Sequence, residues 1–208
     1  MSADFDAQVR AADLDRWLSS RFVNEATKRA DLMVLYAFEA ELLSIPTRVT
    51  QPLLAEMRYA WWSEQLEGVF AAQPRRGHPI LEALTDIVSR RGLTRAPFEA
   101  LIEAHIQRVH GQPHDLNAFY VGPMQAAAKL LAGPGLDMVV NEAAHVWGLG
   151  QVGRGEEARA LRPTANAALK LLPPDGFPAV AHAVLTRREE PEAIKRLRLI
   201  WATLSGRI

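Results

Sequence analysis

The sequence predicts an all-α chain, and three observations carry that expectation. Apolar residues recur at helical spacing in one segment after another. No stretch alternates with the period of two that a half-buried strand needs, and no repeat or low-complexity tract interrupts the pattern. Proline, glycine and small capping residues fall where helices should start and stop. Seven to nine helices are expected, in a single domain over residues 1–208 that is long enough to bury a core.

Taken in order, Leu32, Leu35, Tyr36 and Leu43 make one stripe, with Asn24 placed as its cap and Pro46 as its end. A helix after Pro52 carries Leu54, Met57 and Trp61 on one side, while Trp62, Leu66, Val69 and Phe70 widen the arc. Pro79 suits a first helical residue, and Ile80, Leu84, Ile87 and Val88 run to a closing Gly92. Thr94 and Pro97 open the next helix, with Phe98, Leu101, Ile102, His105 and Val109 inward and Gly111 at its end. Asp115 caps a helix that Gly122-Pro123 should kink. Asp137 opens another through Val140, Ala144 and Trp147, after a turn at Gly133-Pro134-Gly135. Beyond Gly155 the periodicity weakens as far as a turn at residues 173–176. A last helix follows Pro191, with Ile194, Leu197, Trp201 and Leu204 as its apolar stripe.

Composition narrows the function classes. Lys+Arg and Asp+Glu balance at 24 each, so no bulk field draws in nucleic acid. The absence of cysteine excludes disulfides, thiolate metal sites and a thiol nucleophile. The polar N-terminus has no signal-peptide apolar region, and no run approaches the ~18 apolar residues of a membrane span. A cytoplasmic protein is expected, one that at most lies peripheral to the inner membrane.

Three local patterns suggest chemistry. Gly148-Leu-Gly150-Gln-Val-Gly153 matches the dinucleotide fingerprint, but that motif works at a strand-to-helix turn and this one follows a helical stretch. Close packing of small residues on an interior helix is the expected role. His105, His110 and His114 lack the spacing of four on one face that a helical metal pair needs, and His105 reads as a core histidine. Arg58, one turn before Trp62 and near Trp61, makes either packing with a cation–π contact or the wall of an apolar pocket.

Read together, Phe22 with Lys28-Arg29, LYAF at 35–38, Pro52 to Arg58 running into Trp61-Trp62, His78-Pro79 and Pro97-Phe98 resemble the squalene/phytoene synthase family. The match is best over residues 13–104 and returns near the C-terminus. The resemblance implies an isoprenoid-synthase-like helical bundle with a deep cavity, here truncated between Ala160 and Pro173. Its enzymes join two prenyl diphosphates, with Mg²⁺ held by aspartates on facing helices.

Those aspartates are replaced here. After YAF stand Glu39, Glu41, Leu43, Ser44 and Pro46, and the second aspartate motif maps onto Gln151-Val-Gly-Arg154-Gly155. The resemblance therefore implies a member without catalytic or metal-binding residues, with Tyr36, Glu39, Glu41, Arg58, Trp61, Trp62, Gln151 and Arg154 as former active-site or cavity positions. YAFEAEL resembles the branch of complex I assembly factors. This implies an accessory protein, with a protein partner in respiratory-complex assembly or a bound prenyl or lipid ligand, and with no cofactor. The competing expectation is a divergent prenyl-diphosphate synthase binding Mg²⁺ through Glu39, Glu41, Glu156 and Glu157, which requires Glu41 and Glu157 to face one cavity.

Overall fold

The computed structural model describes residues 4–185 and 190–208, which fold into ten α-helices and no strand. They are α1 (Phe5–Ala12), α2 (Leu14–Ser20), α3 (Ala26–Arg48), α4 (Pro52–Phe70), α5 (Pro79–Arg91), α6 (Ala96–Val109), α7 (Gly122–Ala132), α8 (Asp137–Gln151), α9 (Gly155–Ala168) and α10 (Glu192–Ser205). A π-helical turn, Asn117–Val121, leads into α7, and three 3₁₀ turns lie between α9 and α10. The expected all-α class holds, with slightly more helices than expected.

The additional helices have local causes. Asp4 caps α1 by accepting the Ala7 N–H, and Asp13 ends α1 and caps α2 by accepting the Arg16 N–H at 2.9 Å. No apolar stripe marks α9 in the sequence, because only Ala158 and Ala165 of this helix are buried. Alanine has the highest helix propensity and lets α9 pack closely on α8, so no large side chain marks it.

The central element is α3, which packs against α1, α2, α4, α5, α6 and α7. Residues 31–39 are therefore all buried, rather than only one stripe. Asp31 is paid back for its burial by ion pairs to Arg90 and Arg91 on α5, each at 2.6 Å. Two expectations fail here. Asn24 does not cap α3, which starts at Ala26 with no side-chain cap. Nor does Pro46 end it, since α3 runs to Arg48. Proline removes its own N–H and crowds the carbonyl four residues back, and that carbonyl, on Leu42, accepts from the Tyr59 hydroxyl at 3.1 Å.

On α4 the buried face is Ala55, Tyr59, Trp62, Leu66 and Val69, while Leu54 and Met57 are exposed. A larger rotation separates expectation from structure on α10. Its buried residues are Lys195, Leu199 and Ala202, and the apolar stripe read from the sequence faces out. Lys195 is turned inward by an ion pair of 2.6 Å to buried Asp15 on α2. Elsewhere the punctuation works as expected: Gly92 closes α5 in the left-handed conformation, and Asp115 accepts from the N–H groups of Asn117 and Ala118.

Candidate functional site

A cavity of about 410 Å³ opens among α2, α3, α6, the π-helical turn and α8. Its wall is built from the α2 cap upward. Asp13 holds both the N–H of Arg16 and, at 2.7 Å, the guanidinium Nε. That fixes the arginine along α3, where its guanidinium lies 4.7 Å from the centre of the Tyr36 ring and donates from Nη1 to Glu39 Oε2. Burial works against the Arg16 charge, but Glu39 and Asp13 outweigh it and hold the guanidinium protonated. Burial also pushes the Glu39 carboxyl above its ordinary range, with Arg16 opposing.

The opposite wall comes from α6 and the π-helical turn. The imidazole of His105 stacks on Tyr59 with ring centres 5.0 Å apart, and its Nδ1 lies 3.3 Å from the Tyr59 hydroxyl. Tyr59 has one hydroxyl proton, and the Leu42 carbonyl can only accept it, so His105 Nδ1 is the donor in this pair. Burial, with Arg108 beside it, lowers the His105 pKa to about 3, leaving a neutral ring whose Nε2 is an acceptor. Phe119 packs edge-on to His105 at 4.7 Å and stacks with His114 at 4.2 Å.

On the third side, α8 contributes Trp147 and Gln151. The glycine motif has a role in this wall. A Cβ at Gly148 would stand 2.5 Å from Cδ2 of Tyr120, so the missing side chain is what lets the tyrosine ring lie against α8. Close packing is thus the use of Gly148, while Gly153 lies past the end of α8 in a left-handed turn with open space around it, and the motif has a helix and no strand before it.

Of seven buried side-chain polar atoms without a hydrogen-bond partner among the described residues, four gather here: the Tyr36 hydroxyl, Glu39 Oε1, His114 Nε2 and His182 Nδ1. All four residues line either this cavity or the narrow recess beneath it. Buried polar atoms are rarely left unsatisfied, so their convergence marks a site that receives something polar. His182 is itself neutral, its pKa lowered to about 3 by burial.

The sequence-derived positions separate into two groups. Glu39 and Gln151 line the cavity, and Tyr36 lines the recess. Glu41 lies elsewhere, accepting from Gln8 at 2.9 Å and from Arg48 at 3.0 Å. Arg154 is exposed and bound through two hydrogen bonds to Glu157, while Glu156 pairs with Arg159. Because α8 ends at Gln151 and α9 begins at Gly155, the bend carries Arg154 away from the wall that Gln151 joins. Glu41 and Glu157 therefore do not share a cavity.

The aromatic cluster is also outside. Trp62 is buried against Phe38 at 5.4 Å and against His78, Trp61 is half-buried, and Arg58 is exposed. The cation over the Trp61 ring is Arg75. His110 pairs with Glu56 at 3.3 Å, away from His105 and His114. Among the described residues, no group of three or more His, Cys, Asp or Glu could hold a metal ion. The cavity wall instead balances Asp13 and Glu39 against Arg16 and Arg108. That donor set does not fit Mg²⁺, since the carboxylates are already committed to one arginine.

A family model described as squalene/phytoene synthase matches residues 9–120, more than half of the chain. The chain belongs to the squalene/phytoene synthase family. The family match spans α1 to the π-helical turn and so contains Asp13, Arg16, Tyr36, Glu39, His105 and His114. It stops short of the α8 wall with Trp147 and Gln151. No curated protein and no solved structure matches the chain. Within this family member, sequence reasoning missed Asp13, Arg16 and His182. The Asp13-x-x-Arg16 spacing signals a cap and a local ion pair, but only the packing of α2 on α3 turns the arginine inward.

Proposed function

We propose that this squalene/phytoene synthase-family protein does not condense prenyl diphosphates and instead serves as an accessory or assembly factor that holds an uncharged isoprenoid or lipid in its cavity. The single observation that carries the reading is the Arg16 guanidinium, which occupies Glu39 and Asp13 together at the cavity wall. Prenyl condensation needs free carboxylates on two facing helices to bring in Mg²⁺ and take up the leaving diphosphate's charge. Here α8 offers the cavity Trp147 and Gln151, and α6 offers a neutral His105 and Arg108.

What remains suits a ligand with a small polar head and an apolar body. Phe119, Tyr120 and Trp147 supply apolar surface, and the four unpartnered polar atoms supply hydrogen bonds without net charge. The resemblance of residues 36–42 to complex I assembly factors supports a protein partner in respiratory-complex assembly.

Calorimetric titration of farnesol and of farnesyl diphosphate, each with and without Mg²⁺, tests the reading. Farnesol binding that ignores Mg²⁺, with no condensed product from farnesyl diphosphate, is the expected result. Tight Mg²⁺-dependent diphosphate binding followed by turnover would establish the divergent synthase in its place.

A further inference from the structure

The last helix carries its large apolar side chains outward. Leu204 is 84% exposed, Leu197 63% and Trp201 55%, with Ile194 and Ile200 exposed beside them. At ~100° per residue these five occupy one arc of about 120°, opposite Lys195, Leu199 and Ala202. No carboxylate falls within that arc. Arg196 borders it on one side and Arg198 on the other, and exposed Arg207 follows the helix end. Their carboxylate partners lie behind them: Glu192 toward the protein side of Arg196, and Glu190, largely buried, against Arg198.

We propose that α10 docks the protein onto an anionic lipid surface. The apolar arc enters the headgroup layer, and the bordering arginines meet lipid phosphates. Charge placement supports this occupant, since the cations on the outer side of residues 190–208 are Arg196, Arg198 and Arg207, both borders of the arc are cationic, and the two carboxylates, Glu190 and Glu192, stand behind them. Size argues against a second copy of the chain, since a stable interface uses about 20–30 residues a side and this face offers five. Two such faces packed together would also bring arginine borders against arginine borders.

Two further features fit an interfacial helix. Trp201 is an amphipathic ring of the kind that settles at headgroup depth. Leu204 is also a wall of a groove of about 600 Å³ in which Phe22, Leu169 and Leu172 stand beside Arg21, Lys28 and Asp175, a mixed surface of the kind that suits the headgroup layer. Among the described helices, none is long and apolar enough to cross a membrane, so the contact is one of lying on the surface.

The test is flotation of the full chain with phosphatidylcholine vesicles and with mixed phosphatidylcholine/phosphatidylglycerol vesicles. The native protein should float with the anionic vesicles, more weakly with the neutral ones, and less as salt is raised. Leu197→Glu/Trp201→Glu should lower partitioning by about tenfold or more while leaving the melting temperature within about 2 °C, because both side chains are solvent-facing. Arg196→Gln/Arg198→Gln, a second variant that leaves the apolar arc intact, should weaken binding to the anionic vesicles alone. A native protein that does not float, or a Glu variant that floats equally well, overturns the proposal. So does light scattering that shows an oligomer dissolved by the Glu variant without any flotation, which would assign the face to a second copy. The farnesol titration reads the cavity and flotation reads α10, so either proposal can fail without the other.

Discussion

The hydroxyl of Tyr59 donates to the carbonyl oxygen of Leu42, which is the carbonyl that Pro46, four residues on, leaves without its helical N–H. A side chain on α4 thus repairs a defect written into α3, and the same hydroxyl accepts from His105 at the cavity wall. Tyr59→Phe should cost about 1–3 kcal/mol, because it strands a buried carbonyl and an imidazole N–H. In a Pro46→Ala background the restored N–H takes the Leu42 carbonyl, and the cost of Tyr59→Phe should fall by about 1 kcal/mol. Urea denaturation of the four proteins measures this coupling. Equal costs in both backgrounds would mean that the hydroxyl acts only through His105.

Arg16 is predicted to be structural as well as site-forming. Arg16→Met should destabilise by about 3–5 kcal/mol, since it abandons the buried carboxylate of Glu39. Adding Glu39→Gln should recover much of that loss. The deficit of the single variant relative to native protein should also shrink as pH falls, because protonation removes the stranded charge. A deficit that stays constant with pH would remove Glu39 as its cause.

His105 and His182 make stability depend on pH. Both have folded pKa values near 3, below the unfolded value, so the unfolded chain takes up protons first on acidification. Their contribution is complete above ~6.5 and is lost as pH falls toward 3. Each should cost about 2 kcal/mol between pH 7 and pH 5. Denaturation at those two pH values, for native protein and for His182→Gln, should show the loss reduced by about that amount in the variant.

Gly148 of the fingerprint-like motif and Gly155, at the start of the next helix, separate packing from propensity. Gly148→Ala drives a methyl into the Tyr120 ring, and the crowding of about 1–3 kcal/mol should exceed the ~1 kcal/mol gained from helix propensity. Gly155→Ala meets nothing within 4 Å at the start of α9 and should be neutral or stabilising by up to ~1 kcal/mol. Thermal melts should therefore show Gly148→Ala lowered and Gly155→Ala unchanged or raised. Gly148→Ala should regain stability in a Tyr120→Leu background.

Much of the framework was legible in the residues. Pro52, Pro79, Gly92 and Asp115 mark their helix ends by backbone rules that act within a turn or two, and Leu32, Ile80 and Phe98 face the core as their spacing predicts. The absence of aspartate from residues 39–46, after YAF, was equally plain, because an absent functional group needs no geometry to be recognised. What distance along the chain concealed was orientation.

On α10 the inward face carries Lys195 to its partner Asp15, 180 residues away, and leaves a five-residue apolar stripe outside. Whether Glu39 or Glu41 meets the cavity depends on where α2 carries Arg16, and Pro46 is tolerated only because α4 places a hydroxyl at Leu42. The sequence by itself determined the all-α class, most of the helix punctuation and the absence of aspartate after YAF, since these follow from local sterics and residue chemistry. The tertiary structure alone decided the cavity, its arginine-bound carboxylates and the outward apolar face, since each depends on charges and hydrogen bonds between helices far apart in the chain.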